Sequence, residues 1–260
     1  MHMKVFYTSS NNNKSRLIAG ILEATGIINL DLYDCSSEID LILVLGGDGF
    51  MLRSMSQYMH LQVPIYGINC GQVGFLLNEF VTDFLDHIDS CHVVSIHPLK
   101  VELERIKGEK NTSPAFNDVF LFRNKGQISF FNLFIDNKER LKLLKADGLI
   151  ISTAIGSTAY NYSAGGLIMP YDSELIQLTP INPYYPNHLK SCLLSDSSRI
   201  TVNVMESSNR PVSAFIDGVE FKDIRAMKVM VDNNKSVKLL FNSVNRLTDK
   251  ILDAQFSCGK

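Results

Sequence analysis

Two stretches of the sequence combine residue types suited to binding and transferring phosphate. The first, Gly46-Gly47-Asp48-Gly49, follows the apolar run from Ile39 to Leu45 and precedes a plausible helix from Phe50 to Met59. At the carboxyl end of a parallel strand, glycines let the backbone approach phosphate oxygens, and the following helix presents the positive end of its dipole. A carboxylate there can accept the proton of an attacking hydroxyl or position magnesium. Four residues alone favour the plainer interpretation, a tight turn with Asp48 as a helix cap.

The second stretch runs from Asp147 to Ser163 and reads DGLIISTAIGSTAYNYS. Its small hydrogen-bonding side chains leave room for a polar planar ligand, and its tyrosines can stack on a ring. Asp147 can accept from an amide or a ribose hydroxyl. The alternative is a serine-rich helix start with ordinary packing, but the length of the stretch and its density of polar groups favour a ligand site.

The elements that must position these stretches change in type along the chain. Up to about Ser90, strand-like runs alternate with helical periodicity, which predicts a Rossmann-like parallel α/β domain. Beyond it, short β-branched or aromatic-rich runs between turns predict antiparallel, β-sandwich-like sheets. We therefore expect an α/β domain over residues 1–92 and a mostly β domain over 93–241. A C-terminal tail, about 242–260, is expected to return to the first domain as a helix.

Composition excludes several classes of function. With 25 Lys and Arg against 27 Asp and Glu, the formal charge of -2 offers no excess for binding nucleic acid or an anionic membrane. The five scattered cysteines and six histidines show no metal-ligand spacing, so no resident metal site is expected. The N-terminus turns polar too early for a signal peptide, and no apolar stretch is long enough to span a bilayer. A soluble cytoplasmic protein with reduced thiols is expected.

Taken in order, these motifs resemble the NAD kinase family, whose pattern is GGDG followed downstream by DG-x-x-x-ST-x-x-GSTAY. The segment from Gly71 to Leu76 (GQVGFL) is similar to the family's G-x-x-GFL, and Asn117-Asp118 is similar to its Asn-Glu pair. The similarity extends from residue 41 to about 181. The resemblance implies an α/β domain and a β domain with the active site between them, in a homodimer or homotetramer.

The resemblance also implies a reaction and a role for each matching residue. ATP, with Mg²⁺ or another divalent cation, would phosphorylate the 2′-hydroxyl of the adenosine ribose of NAD, with Asp48 as the catalytic acid–base residue. Gly46, Gly47 and Arg53 would lie near the phosphates. The adenosine half of NAD would meet Asn117 and Asp118, and Asp147 would lie towards the nicotinamide. The complete implied set for NAD is Gly49, Phe75, Asn117, Asp118, Lys145, Asp147, Thr158, Ala159, Tyr160, Asn161, Tyr162 and Ser163.

The chain departs from the family's pattern at several positions. Phe50 stands where threonine is common after GGDG, which removes a hydroxyl beside the phosphates. Asp118 replaces glutamate and is one methylene shorter, so a direct contact would lengthen or pass through water. Ala154-Ile155 replaces the common Pro-Thr. Lys145 stands where arginine is frequent and supplies charge without a bidentate fork.

Two alternatives share part of this pattern. Lipid kinases of the diacylglycerol or sphingosine type also have a GGDG-like loop, but they need an apolar tunnel or a membrane-facing surface. The stretch from Asp147 to Ser163 offers small polar groups and aromatic faces suited to a nucleotide instead. A non-catalytic sensor would bind NAD without consuming ATP, and it would be favoured only if the base Asp48 were missing.

Overall fold

The computed structural model describes residues 3–32, 38–72 and 74–242. They fall into two units, one formed by the residues up to Ile96 together with those from Lys235 onward, and the other by His97–Asn234. The helix expected from Ser243 to Phe256 lies outside the described residues. Within the described part of the chain, no helix has the length and apolar character needed to cross a bilayer.

The helices and strands follow one another in an order that changes from mixed α/β to nearly all β. In chain order they are β1 (Val5–Ser9), α1 (Asn13–Ala24), β2 (Ile28–Asn29), β3 (Leu41–Gly46), α2 (Asp48–Tyr58), β4 (Ile65–Asn69), β5 (His92–Ile96), β6 (Leu99–Arg105), β7 (Lys110–Ala115), β8 (Asp118–Arg123), β9 (Ser129–Ile135), β10 (Lys138–Ala146), β11 (Gly148–Ser152), α3 (Tyr160–Ser163), β12 (Leu175–Ile181), β13 (Cys192–Ser195), β14 (Ile200–Met205), β15 (Val212–Ile216), β16 (Val219–Phe221), β17 (Ile224–Val231) and β18 (Val237–Phe241).

The first unit contains a six-stranded sheet in the order β2-β1-β3-β4-β18-β5. All neighbouring strands are parallel except β5, which is antiparallel to β18. Every residue of β3 is buried, as expected for a central strand covered on both faces. Helix α1 begins after Asn12, whose side chain accepts a hydrogen bond from the Ser15 N–H at 2.8 Å. The predicted parallel α/β architecture is confirmed.

Two strands of this sheet come from segments that we expected in the β domain. Val237–Phe241 pairs in parallel with β4, with Leu239 opposite Ile65, and His92–Ile96 pairs with it on the other side. The unit boundaries therefore lie at 96/97 and 234/235 instead of the expected 92/93 and 241/242. An alternating apolar pattern marks a strand but does not identify its partner, which here lies far away in sequence.

The second unit contains two six-stranded antiparallel sheets, β10-β9-β14-β17-β6-β7 and β13-β12-β11-β8-β15-β16. Inward-facing residues of both sheets share one core, which includes Val119 and Leu121 from β8 and Val202 from β14. The predicted β-sandwich is confirmed. Because side chains alternate along a strand, Asp118 and Phe120 of β8 lie on the opposite, outer face of the second sheet.

Strands β8 and β11 form the antiparallel ladder that connects the two halves of the candidate NAD motifs. Asp118 pairs with Ser152 at one end of the ladder, and Phe122 pairs with Gly148 at the other. Strand β12 continues to Ile181, so the loop that contains Pro183 and Pro186 starts at Asn182.

Gly148 provides a test of this ladder. A Cβ at position 148 would lie 2.1 Å from the Leu121 carbonyl oxygen and 2.9 Å from Ile181 Cδ1, so Gly148→Ala should force the strands apart. We expect it to lower the free energy of unfolding by about 3 kcal/mol, measured by urea denaturation. Gly126→Ala is the matched control, because its Cβ would meet no atom within 4 Å. Equal stability of the two variants would contradict the close approach.

Candidate active site

In the first unit, the GGDG segment forms the link between β3 and α2. Gly47 is the N-cap of α2, with φ -108° and ψ 178°, and Asp48 is the first residue of the helix. The interpretation of Asp48 as a helix cap is therefore wrong. Its carboxylate accepts hydrogen bonds from the backbone N–H groups of Phe75 and Leu76, each at 3.0 Å.

These two hydrogen bonds join two motifs that lie 27 and 28 residues apart. Backbone amides stabilise the charged carboxylate and fix its direction, since each oxygen has its own donor. The arrangement suits a group that must accept a proton from a positioned hydroxyl.

The glycines around Asp48 have different structural reasons. A Cβ on Gly46 would lie 2.7 Å from Phe50 Cδ1, so Phe50 packs where that side chain would be. Added Cβ atoms on Gly47 and Gly49 would meet nothing within 4 Å, which leaves the first turn of α2 open. The Arg53 guanidinium lies 5.7 Å from the centre of the Phe50 ring, so the departure at position 50 gives this cation an aromatic neighbour.

In the second unit, the Asn117-Asp118 pair lies directly against the start of the Ser-Thr-rich segment. The Asn117 carbonyl accepts hydrogen bonds from Thr153 N at 2.9 Å and Thr153 Oγ1 at 3.1 Å. A Cβ on Gly156 would lie 2.0 Å from that same carbonyl oxygen, so only glycine fits there. Asn117 Oδ1 is buried and has no hydrogen-bond partner among the described residues.

The GSTAYNYS segment covers the outer face of the sheet as two short helices. A 3₁₀ helix spans Ile155–Thr158, and α3 follows after Ala159. Asn161 is fully buried, and its side chain forms hydrogen bonds with Gln177 and Thr179 of β12. Asn161 thus attaches α3 to the sheet, while its predicted contact with NAD stays a prediction.

An aromatic group lies beside this segment. Phe120 stacks on Phe215 with ring centres 4.7 Å apart, and Tyr160 meets Phe120 edge-on at 4.9 Å. Partial burial, together with the charges of Asp118 and Asp147, raises the pKa of the Tyr160 hydroxyl. Tyr160 is 37% exposed, so it combines a fixed ring with an accessible face, as a stacking platform requires.

Asp147 lies at the far end of the β8–β11 ladder from Asp118. Four residues separate the two ends, which is about 13 Å at ~3.3 Å per residue. Arg123 Nε donates to Asp147 Oδ1 at 2.6 Å, and Asn182 Nδ2 donates to Oδ2 at 3.0 Å. Both Asp147 oxygens are therefore oriented by neighbours, and Asn182 was not among the expected residues.

The remaining predicted residues are more exposed or are held by the backbone. The main chain of Lys145 pairs with that of Tyr185, and its Nζ lies 5.2 Å from the centre of the Phe130 ring. Thr158 Oγ1 donates to the Ile155 carbonyl at 3.3 Å. The exposed positions are Tyr162 and Ser163. No group of three His, Cys, Asp or Glu side chains suited to a metal occurs in the described ranges.

The sequence interpretation missed Asp217, which follows β15. Its carboxylate accepts hydrogen bonds from the N–H groups of Phe116, Asn117 and Asp118.

The pKa of Asp118 is raised to about 7, chiefly by burial and to a smaller extent by the negative charge of Asp217. Burial also raises the pKa of Asp217, although its hydrogen bonds with backbone amides oppose the shift. The Asp217-Gly218 pair after an apolar strand was the available signal, but it indicated only a turn.

Comparison with known proteins identifies the family. A model of the ATP-NAD kinase C-terminal domain matches residues 116–238, and a model of the ATP-NAD kinase N-terminal domain matches residues 9–89. The NAD kinase of Rickettsia bellii is 37% identical over 246 residues, covering 94% of this chain and 95% of that protein. The chain belongs to the NAD kinase family. The NAD kinase of Rickettsia felis is 38% identical with the same coverage.

Solved structures of an NADH kinase and an NAD kinase share the fold. Yeast NADH kinase, solved in complex with NADH, matches with a TM-score of 0.81 at 21% sequence identity. The match covers 99% of this chain and 89% of the yeast chain. An NAD kinase from Archaeoglobus fulgidus, solved in complex with ATP, matches with a TM-score of 0.77 at 22% sequence identity. The match covers 97% of this chain and 99% of the Archaeoglobus chain.

Family membership decides between the functions considered from the sequence. The protein is a phosphotransferase of the NAD kinase type, with NAD and ATP as substrates. The predicted class of reaction is therefore confirmed. The lipid kinase and the non-catalytic sensor are not supported. The role of each residue within the NAD kinase reaction is a separate question.

The raised pKa of Asp118 makes stability depend on pH. Its folded pKa of about 7 lies above the ordinary 3.8, so the wild type loses stability as pH rises through this interval. Asp118→Asn stays neutral and should therefore gain roughly 4 kcal/mol over the wild type between about pH 4 and pH 8. Urea denaturation at several pH values measures the gain. The exposed Asp172→Asn should show no such gain, and a wild-type-like pH profile in Asp118→Asn would contradict the assignment.

Proposed function

We propose that Asp48 is the catalytic base of this NAD kinase and takes the proton of the ribose 2′-hydroxyl. The observation that supports this role is the pair of hydrogen bonds from the Phe75 and Leu76 amides, which orient the carboxylate. The 2′ oxygen forms a bond to the γ-phosphorus of ATP while the bond to the β-phosphate oxygen breaks, and ADP leaves. Positioning and electrostatic stabilisation dominate such a transfer.

The donor is proposed to enter as ATP with Mg²⁺ or another divalent cation, both as substrate. Gly47 and Gly49 leave open space beside the first turn of α2, where phosphate oxygens could approach the positive end of the helix dipole. Arg53, exposed on the same helix, supplies a positive charge for the phosphates. Phe50 keeps the Gly46 backbone covered and offers no hydroxyl to the donor.

NAD is proposed to lie along the outer face of the second sheet. Asn117, whose buried Oδ1 has no hydrogen-bond partner among the described residues, and Asp118 would meet the adenosine half, and Asp147 would accept from the nicotinamide amide. The β8–β11 ladder that lies between these residues is about 13 Å long at ~3.3 Å per residue, a length that suits an extended dinucleotide. Tyr160 packs against Phe120, which lies in the middle of this ladder. The other contacts proposed for NAD are Gly49, Phe75, Lys145, Thr158, Ala159, Asn161, Tyr162 and Ser163.

The protein is also proposed to act in the cytoplasm as a homodimer or homotetramer. This assembly rests on the resemblance to the family and on the exposed side chains of Tyr184 and Tyr185, which are 73% and 55% exposed and suit a subunit contact. Sedimentation equilibrium of the purified chain should give a mass of two or four subunits. A mass near the 29.1 kDa of one chain at all concentrations would contradict the assembly.

Asp48→Asn tests the catalytic assignment. The substitution keeps the side-chain shape but removes the basic oxygen, so NADP formation from ATP, Mg²⁺ and NAD should fall at least about 100-fold. NAD affinity, measured by calorimetry, should stay close to that of the wild type. Chromatographic separation of the nucleotides gives the turnover.

Asp40→Asn is the matched control for this experiment. Asp40 also accepts a backbone N–H, that of Lys4 at 2.8 Å, and belongs to the same unit. Its variant loses an equivalent hydrogen bond without touching the GGDG segment, so its turnover should equal that of the wild type. Normal turnover of Asp48→Asn would exclude Asp48 as the base, and equal losses in both variants would point to folding.

A further inference from the structure

Asp217 is held in an unusual conformation directly beside the Asn117-Asp118 pair. Its φ of 44° lies in the left-handed region, which costs free energy for a residue other than glycine but is tolerated by aspartate. The Asp217 N–H donates to the Asp118 carbonyl at 3.2 Å. The left-handed turn thus folds the Asp217 carboxylate back towards the strand that begins at Asp118.

The Asp217 carboxylate binds three consecutive backbone N–H groups. Oδ2 accepts from Phe116 at 2.7 Å, and Oδ1 accepts from Asn117 at 2.9 Å and from Asp118 at 3.3 Å. A neutral side chain of the same size cannot replace this contact. Asparagine has one acceptor oxygen, and its NH₂ group would face one of the backbone donors.

The Asn117 backbone is fixed from its other side as well. Its carbonyl accepts from Thr153, and the missing side chain of Gly156 lets the two segments touch. With its N–H bound to Asp217 and its carbonyl bound to Thr153, Asn117 retains little backbone freedom. Its side chain keeps a buried Oδ1 with no partner in the described residues, a cost that a bound polar ligand would remove.

We propose that Asp217 is a positioning residue for NAD, which holds the 116–118 backbone so that the Asn117 and Asp118 side chains are presented to the nucleotide before it binds. The proposal rests on the NAD-binding role given above to Asn117 and Asp118. Asp217 itself acts through these residues and does not contact the reacting atoms. Preorganisation of this kind lowers the entropy lost on binding and therefore affects NAD affinity more than ATP affinity.

The charge of Asp217 has a second, measurable effect. Burial and the Asp217 charge together raise the pKa of Asp118, and the Asp118 charge in turn acts on the Tyr160 hydroxyl. Of the described residues, Asp217 and Tyr160 are the titratable groups whose charges couple to Asp118, and Tyr160 is neutral near pH 7. Replacing Asp217 by a neutral residue therefore lowers the pKa of Asp118 and moves any pH dependence of NAD affinity to lower pH.

The experiment compares Asp217→Asn with the wild type and with Asp223→Asn. Asp223 is a matched control, since it also has a left-handed backbone, with φ 60°, in an exposed turn of the same unit. Calorimetry measures NAD binding without ATP, and steady-state kinetics over a pH series gives the KM for each substrate. Asn117→Ala sets the scale for loss of a direct contact with NAD.

Asp217→Asn should weaken NAD binding about tenfold, the change expected from losing hydrogen bonds to a charged group. In the same variant, the KM for ATP should change by less than about twofold, and the pH profile of NAD affinity should shift to lower pH. The control variant, Asp223→Asn, should match the wild type in all three measurements. Unchanged NAD affinity, or equal losses for NAD and ATP without a pH shift, would overturn the proposal.

Two further results keep the outcome decisive. If Asp217→Asn does not fold, hydrogen exchange in the wild type replaces it: slow exchange of the 116–118 amides without NAD supports preorganisation, and fast exchange overturns it. If the wild type binds NAD but forms no NADP, the proposed chemistry at Asp48 fails, while the binding comparison at Asp217 still gives its own answer.

Discussion

The two hydrogen bonds from the Phe75 and Leu76 amides to Asp48 hold the first unit's candidate residues in one arrangement. They connect the start of α2 to the segment after β4, at the carboxyl edge of the parallel sheet. Asn78, three residues after Phe75, extends this connection: its side chain donates to the Gly67 and Leu240 carbonyls, in β4 and β18. The position of the proposed base thus depends on hydrogen bonds between segments that are distant in sequence.

The second unit uses the same type of interaction at Asp217. A buried carboxylate is costly unless donors surround it, and here the donors are backbone amides of the segment that it positions. The same burial keeps Asp118 partly protonated near neutral pH. Two carboxylates, Asp48 and Asp217, therefore orient neighbouring backbone, and only Asp48 is proposed to take part in chemistry.

The departures from the family's pattern now have local explanations. Ala154 has φ -59° and ψ -40°, a φ that proline also adopts, so replacing proline leaves the backbone course unchanged. Phe50 packs on Gly46 and neighbours Arg53, so the lost hydroxyl is exchanged for an aromatic contact. Lys145 Nζ lies 5.2 Å from the centre of the Phe130 ring, so the lysine retains a cation–π contact. The shorter side chain of Asp118 lies beside Asp217.

The sequence by itself determined the two-unit α/β and β architecture, the family, the reaction and the residues that lie in motifs. Local information was sufficient because a glycine-rich loop after a strand, an alternating apolar pattern and a motif in fixed order are properties of contiguous residues. Only the tertiary structure decided that β5 and β18 join the first sheet, that Asn161 is buried against β12, and that Asp217 and Asn182 orient candidate residues. These features depend on strand pairs and hydrogen bonds between residues that are separated in sequence, some of them by about a hundred or more positions. No local pattern in the sequence specifies which of these residues pair.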